Sequence, residues 1–441
     1  MATAAIPTRG TDVPGVEGLR ETLVSAVRAL GPLVREGADQ GERDRRLPEA
    51  TAQGLSQAGC FRLCRPRELG GLEADPITVL EVVEEIARHD GSAAWCALNS
   101  GIAGVLQSFL APEGAREIGT ALDVVLNGVI APSGRAVEVE GGYRVSGRWS
   151  FVSNCHECSW LAPASIVFDG DTMSAGPTGP EIVMTWIPAA DYRIIDTWDT
   201  AGLRATGSHD IEVSDVFVPS HRVCPVPVPD PVTAGALFRF PVVGLWSIGM
   251  AATALGIARA AIDELLRLAG TKTPFGMAST LATRTTAQIA VCEALAATRS
   301  ARALLVEETT RVSELVQIGT PVAPDRLGGL RIAATHATAA STFAVDRMYT
   351  TAGGTAVYTS SPPAAVPSRR ARDHATPLRR ASDLRDDRQD PARRGVRRLH
   401  ALIDRSMGGL GDNAPRSRRP GSLACRSVAS LGGHPPPVRP Q

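Results

Sequence analysis

The spacing of apolar residues changes twice along the chain, and this change limits the possible folds more than any other feature. Apolar residues recur at the spacing of an amphipathic helix over residues 16–36 and 76–89. Between residues 124 and 218 the apolar runs are short, β-branched and broken by Gly, Asp or Pro, which is typical of strands. Long helical patterns return over residues 242–269, 283–308 and 325–351. The sequence therefore predicts an α+β protein.

These changes divide the 441 residues into segments. The length is sufficient for two or three structural units. The predicted segments are an N-terminal stretch without order (1–15), an N-terminal helical domain (16–123), a middle β domain (124–224), a proline-rich linker (225–236), a C-terminal helical domain (237–361) and a basic, disordered tail (362–441).

Composition excludes several classes of function. The formal net charge is zero, so the whole chain shows no charge bias towards nucleic acid or a membrane surface. It contains no apolar run of the length that spans a membrane, and no signal peptide is recognisable. The eight cysteines are scattered, which indicates reduced thiols and a cytoplasmic location.

Two segments of the middle region carry a family resemblance. Residues 147–160 read Gly-Arg-Trp-Ser-Phe-Val-Ser-Asn-Cys-His-Glu-Cys-Ser-Trp, and residues 197–219 begin Thr-Trp-Asp-Thr-Ala-Gly-Leu-Arg-Ala-Thr-Gly-Ser. Both resemble the flavin-facing strands of the acyl-CoA dehydrogenase superfamily, in its branch of two-component flavin monooxygenases. The resemblance covers residues 43–362. It implies an N-terminal helical domain, a middle β-sandwich or barrel, and a C-terminal antiparallel helix bundle.

The resemblance implies flavin contacts at the end of the first segment. Ser153 takes the position of a hydroxyl beside flavin N5, and Phe151, two residues earlier on the same strand face, lines the ring. Trp149 flanks them, and Asn154 stands where this branch often has Gly. The predicted cofactor-binding residues are Trp149, Phe151, Ser153, Asn154, Lys272, Phe275, Gly276, Gly353 and Gly354.

The last five of these come from two further segments. Residues 272–276, Lys-Thr-Pro-Phe-Gly, resemble a turn whose basic residue and Phe reach the flavin of a neighbouring subunit. Lys272 is the only lysine in the chain, although a lysine at such a turn is commonly a solvated surface residue. Residues 353–361 resemble a loop that contacts cofactor, and a simple helix stop would also explain Gly353 and Gly354.

Catalytic and substrate positions are implied in the same way. Asn99 and Ser100 lie on the helix that roofs the flavin in the family, and with Ser153 they are the predicted catalytic residues. Trp95, Arg204 and Ser208 are predicted on the substrate side, with Arg204 either a polar anchor or an ordinary strand-end charge.

The Cys155-His-Glu-Cys158 sequence suggests a zinc site at first sight. A structural zinc needs four ligands, and no second cysteine pair stands at a supporting spacing. We therefore predict no metal site.

The family implies an oxygenase component that receives reduced FMN, rather than FAD, from a separate flavin reductase. With molecular oxygen it would hydroxylate a small aromatic or polyketide-like substrate through a flavin C4a-hydroperoxide, as a homotetramer if intact. One alternative is an FAD-dependent acyl-CoA dehydrogenase, although the stretch that carries the Thr-Glu-Pro signature of such enzymes reads Ile-Ala-Pro-Ser-Gly here, over residues 130–134. The other is an inactive scaffold subunit.

The scaffold alternative arises from the tail. Residues 366–441 contain seventeen Arg and seven Asp without Lys or Glu, a net charge of +10. The family places a catalytic His motif after Pro362, and a frame shifted by one base permits Pro-Leu-Gln-Arg-x-Leu-Arg-Asp-Val-His there. We hypothesise a one-base insertion at Pro362–Pro363. A natural basic tail is the alternative, and re-reading the DNA without finding a spare base would refute the insertion.

Overall fold

Helices occupy both ends of the described chain and strands occupy its middle, in this computed structural model. The structure describes residues 15–176, 179–226 and 230–357, which all belong to one compact unit. The predictions for residues 1–14 and for the tail, with its shifted frame, lie outside the described residues.

The N-terminal helices form a cluster around α3 and α4. Their bounds are α1 (Val16–Asp44), α2 (Glu49–Gln57), α3 (Pro76–Ala87), α4 (Gly91–Ala103) and α5 (Pro112–Ile118). The carboxylate of Asp75 accepts hydrogen bonds from the first backbone N–H groups of α3, and Asp90 does the same for α4. These caps fix where both helices begin, and α4 thereby presents Trp95 and Ser100 to the sheet.

The middle domain is built around one mixed sheet. Its strands are β1 (Leu126–Val139), β2 (Gly142–Val152), β3 (Trp160–Asp169), β4 (Thr172–Met173), β5 (Ala175–Gly176), β6 (Gly179–Pro180), β7 (Ile182–Thr185), β8 (Ile187–Pro188), β9 (Arg193–Ile195), β10 (His209–Pro219) and β11 (Val223–Val226). Nine of them form one sheet in the order β11-β7-β3-β1-β2-β10-β9, with β4 and β8 beside β3, while β5 and β6 pair separately. β1 runs parallel to β3 and antiparallel to β2. The predicted sandwich or barrel is thus refined to a single mixed sheet.

The predicted linker is partly structured, which corrects the sequence analysis. Pro225 and Val226 belong to β11, which pairs with β7 along the sheet edge. Proline is tolerated in an edge strand because no ladder hydrogen bond is required of it on the outer side. At the other end of the segment, α6 begins at Ala236.

Long helices make up the C-terminal domain. They are α6 (Ala236–Arg239), α7 (Val242–Thr271), α8 (Thr285–Gln317) and α9 (Pro324–Ala352). α7 packs between α3 and α9, and α8 packs along α9. Among the described residues, α7 alone is long and apolar enough to cross a membrane, and 72% of its apolar window is buried inside the protein. Burial of this kind is typical of a core helix.

Candidate functional site

The Ser153 hydroxyl lies just beyond the end of β2, where α4 and the loop before β10 meet the sheet. Ser153 is buried, with 7% of the residue exposed. The indole Nε1 of Trp95 donates a hydrogen bond to Ser153 Oγ at 2.9 Å, and Ser208 Oγ lies 2.9 Å from the same oxygen. Asn127 Nδ2 donates to the backbone carbonyl of Ser153. The structure therefore brings together Trp95, Ser153 and Ser208, three residues that the sequence predicts for the site.

The chain turns sharply around this hydroxyl. Phe151 and Asn154 have φ angles of 63° and 57°, in the left-handed region. Asn often adopts this conformation, whereas a Phe there is a strained exception. Phe151 is 72% exposed, and its ring makes a T-shaped contact with the Trp198 ring at a centroid distance of 5.9 Å. The turn thus leaves a flat apolar ring exposed beside a fixed hydroxyl.

Asn154 and Ser100 support the turn from inside the protein. Asn154 Nδ2 donates to Ser100 Oγ at 3.0 Å, and the Asn154 backbone N–H donates to Thr206 O at 2.7 Å. Both residues are buried. Their contacts in this structure are with the protein itself, and their predicted catalytic and cofactor-binding roles stay predictions. Asn99 donates to Trp95 O at 2.8 Å within α4, and its catalytic role stays a prediction.

Trp149 lies in the interior of the sheet. Its side chain is fully buried in the core of the sheet, and its indole N–H donates to Ala164 O at 2.7 Å. The ring fills the space left by two glycines: a Cβ on Gly134 would lie 2.0 Å from Trp149 Cζ2, and one on Gly147 would lie 2.8 Å from Cη2. Trp149 thus packs the sheet, and its predicted flavin contact stays a prediction.

The contacts of Arg204 are structural. Its guanidinium donates to Glu42 O at 3.0 Å, to Asp199 Oδ1 at 2.7 Å and to Thr200 O at 2.7 Å. These bonds join the loop before β10 to the end of α1. Arg204 thus supports the loop, and its predicted place on the substrate side stays a prediction.

Lys272 and Gly353 form a second cluster. Lys272 Nζ donates to Ala352 O at 2.5 Å, at the carboxyl end of α9, where a cation is favoured by the helix dipole. Gly353, next to it, has a φ of 63°. Phe275 is fully exposed on the adjoining turn, and Gly276 has a φ of 74°. The structure brings the two predicted segments together, and their flavin contacts, with Gly354, stay predictions.

Burial keeps the groups behind the turn neutral. The rings of His156 and His209 lie 5.2 Å apart, and burial lowers the pKa of both imidazoles. His209 Nδ1 accepts hydrogen bonds from the backbone N–H groups of Thr197 and Trp198, which places its proton on Nε2. Burial likewise raises the pKa of the Cys155 thiol to about 12.

The two cysteines of this segment bind backbone rather than each other. Cys155 Sγ donates to Gly207 O at 3.1 Å, and Cys158 Sγ donates to Trp160 O at 3.0 Å. Within the described ranges, no three or more His, Cys, Asp or Glu side chains converge as metal ligands do.

The sequence analysis missed three residues that shape the site. Thr206 contacts Ser208, Asn127 holds the Ser153 carbonyl, and Trp198 packs on Phe151. Asn127 interrupts an otherwise apolar strand run, and that polar interruption was the available signal. Thr206 stands two residues before Ser208 in a segment already recognised, but only the fold shows which way its hydroxyl points.

Comparison with known proteins supports the fold. Residues 20–116 match the acyl-CoA dehydrogenase N-terminal domain, and residues 248–376 match the acyl-CoA dehydrogenase C-terminal domain. The latter match runs past residue 362, where we expected the resemblance to stop, into residues outside the described ranges.

Individual relatives narrow the class of protein to which the chain belongs. Indole-3-acetate monooxygenase of Pseudomonas putida is 34% identical over 76% of this chain and 85% of the relative. The oxygenase component of the FADH2-dependent resorcinol hydroxylase of Rhizobium sp. (strain MTP-10005) is 30% identical over 67% of this chain and 74% of the relative. The structure of XiaF from Streptomyces sp. in complex with FADH2 and glycerol covers 85% of this chain and 98% of its own, with a TM-score of 0.76 and 25% identity. The chain belongs to the acyl-CoA dehydrogenase superfamily, in the branch of the flavin-dependent monooxygenases.

Proposed function

We propose that this chain is the oxygenase component of a two-component flavin-dependent monooxygenase, which hydroxylates a small aromatic or polyketide-like substrate with molecular oxygen. The observation that carries the proposal is the buried Ser153 hydroxyl beside the exposed ring of Phe151. A flavin needs a flat apolar surface for its ring and fixed polar groups for its nitrogens, so these residues fit one. Membership of the monooxygenase branch supports the same conclusion.

Each residue then has a physical task. Ser153 provides a hydrogen-bonding oxygen whose position is fixed by Trp95 and Ser208. Phe151 offers an exposed ring for stacking, and Trp198 packs against it in a T-shaped contact. A bound reduced flavin supplies the activation of oxygen. The two imidazoles and the Cys155 thiol behind the turn add no charge to the site near pH 7, because burial lowers the pKa of both imidazoles and raises that of the thiol.

We infer reduced FMN, delivered by a separate reductase, as the working cofactor. The named relatives differ in this respect: TdsC of Paenibacillus sp. A11-2 has been crystallised with FMN, and XiaF with FADH2. FMN and FAD share the isoalloxazine ring that Ser153 and Phe151 would meet. Titrating the chain with both flavins therefore decides between them.

We also infer a cytoplasmic homotetramer. Phe275 is fully exposed and Met277 is 45% exposed on the turn beside Lys272. Exposed apolar side chains on one turn are typical of an interface, and the family resemblance assigns this turn to a neighbouring flavin site. The absolute mass in solution, measured by light scattering, tests the assembly.

Hydroxylation by the full chain is the direct test. Reduced FMN or FAD, ¹⁸O₂ and a panel containing indole-3-acetate and resorcinol are mixed with the protein, and products are analysed by mass spectrometry. We expect a product that has gained one ¹⁸O atom. Ser153→Ala should lower its yield about tenfold, because one hydrogen bond to the ring in a dry site is lost.

The control is Ser300→Ala, on the exposed side of α8, where the hydroxyl bonds only its own helix at Ala297 O. Its product yield should equal that of the wild type. Bleaching of bound FAD by an acyl-CoA, without oxygen transfer, would instead identify a dehydrogenase. A folded protein that binds neither flavin would identify an inactive scaffold.

A further inference from the structure

A chain of hydrogen bonds runs from Trp95 through the Ser153 hydroxyl into the protein. Ser153 Oγ lies 2.9 Å from Trp95 Nε1 and 2.9 Å from Ser208 Oγ. Ser208 Oγ lies 2.6 Å from Thr206 Oγ1, which lies 2.8 Å from Leu203 O. Ser153, Ser208 and Thr206 are 7%, 3% and 1% exposed, so these bonds lie away from bulk solvent.

Both ends of this chain fix the direction of every proton in it. Leu203 O is a carbonyl and accepts only, so Thr206 must donate its one hydroxyl proton there. Thr206 can then only accept from Ser208, and Ser208 can then only accept from Ser153. At the other end, the Trp95 indole N–H donates only, and it donates to Ser153 Oγ.

The orientation of the Ser153 hydroxyl is therefore fixed. Its proton goes to Ser208, and one of its two lone pairs receives the Trp95 N–H. One lone pair remains, so the group that Ser153 offers to a ligand is a hydrogen-bond acceptor. Reversing this would leave two buried oxygens of the chain in contact without a hydrogen between them, which is unfavourable.

We propose that Ser208 and Thr206 are positioning residues that hold Ser153 as an acceptor and thereby make the site select reduced over oxidised flavin. The proposal rests on the proposed function, because it takes the flavin N5 as the atom that Ser153 meets. N5 of the reduced ring carries a hydrogen and donates, whereas N5 of the oxidised ring has only a lone pair. The N5–H group of the reduced ring can donate to the free lone pair of Ser153 Oγ. The oxidised ring would instead place the lone pair of N5 against that lone pair.

This selection suits an enzyme whose cofactor arrives reduced and leaves oxidised. Reduced flavin is retained when it comes from the reductase. Oxidised flavin is released after turnover, since it loses the bond to Ser153. The same chain explains why Ser208 and Thr206 have hydroxyl groups at positions that are almost completely buried.

The test is the ratio of two dissociation constants, for oxidised and for photoreduced FMN, measured anaerobically by ultrafiltration with the full chain. We expect the wild type to bind reduced FMN at least about tenfold more tightly. Ser208→Ala removes the acceptor of the Ser153 proton, and Thr206→Val lets the Ser208 proton turn back towards Ser153. Both variants free the Ser153 proton for oxidised N5, so each should lower the ratio about tenfold, mainly by tightening oxidised FMN.

Thr206→Ser is the matched control, because it keeps the hydroxyl and should keep the wild-type ratio. A merely structural role would weaken both redox forms in parallel and leave the ratio unchanged in Ser208→Ala and Thr206→Val, which would overturn the proposal. Equal affinity of the wild type for the two forms would overturn it as well, with the proposed function intact. A wild type that binds neither form would overturn both.

Discussion

Gly256→Ala is expected to destabilise the protein by about 1 kcal/mol net, because about 2 kcal/mol of overpacking outweighs the ~1 kcal/mol by which a helix normally prefers Ala to Gly. Gly256 lies in the middle of α7, where the helix crosses α3. A Cβ there would lie 2.3 Å from Glu84 O and 2.5 Å from Ala87 Cβ. The first of these neighbours is backbone, so the two helices would have to separate. Overpacking of this kind costs about 1–3 kcal/mol.

The same helix provides a matched control. Gly270 is exposed near the end of α7, and a Cβ there would meet nothing within 4 Å. Gly270→Ala should therefore stabilise the protein by up to about 1 kcal/mol. Urea unfolding followed by circular dichroism measures both variants. If Gly256→Ala proved as stable as Gly270→Ala, the close crossing of α3 and α7 would be refuted.

Helices were predictable wherever their signal is local. The apolar spacing places α3 and α7 correctly within a few residues, but it predicts that α1 stops near residue 36, whereas the helix continues to Asp44. The extension contains Gly37 and Gly41, which carry no apolar signal. A Cβ on Gly37 would lie 2.7 Å from Thr51 Oγ1, and one on Gly41 would lie 2.8 Å from Ala205 Cβ. The C-terminal part of α1 therefore makes close tertiary contacts instead of carrying an apolar stripe.

The sequence predicts that Trp95, Ser153 and Ser208 belong together, but not how the side chains of the candidate site are oriented. Strand alternation predicts that Trp149 and Phe151 face the same way. The structure buries Trp149 and exposes both Ser150 and Phe151, because the left-handed φ of Phe151 interrupts the alternation. No local sequence pattern predicts such a turn. The contact of Trp95 with Ser153, across 58 residues, likewise exists only once α4 has packed on the sheet.

Phe151→Gly is expected to separate flavin affinity from stability. The left-handed backbone of this residue costs a non-glycine side chain about 1–2 kcal/mol, whereas Gly adopts it freely. Phe151 is 72% exposed, so removal of its ring sacrifices little buried area. We therefore expect the variant to be as stable as the wild type or more so in thermal unfolding. Its affinity for reduced FMN should fall at least about tenfold, since the stacking surface is lost.

Phe217→Ala is the control, because Phe217 is a 44% exposed phenylalanine on β10 of the same sheet, without a left-handed φ. It should leave the dissociation constant for reduced FMN unchanged. A glycine variant of Phe151 that bound flavin as well as the wild type would show that the exposed ring does not contact the cofactor. One that unfolded several degrees earlier would show that the turn is held by the ring itself. The first result would show that Phe151 is not a stacking surface for the cofactor. The second would refute the idea that a strained backbone is retained at Phe151 for function.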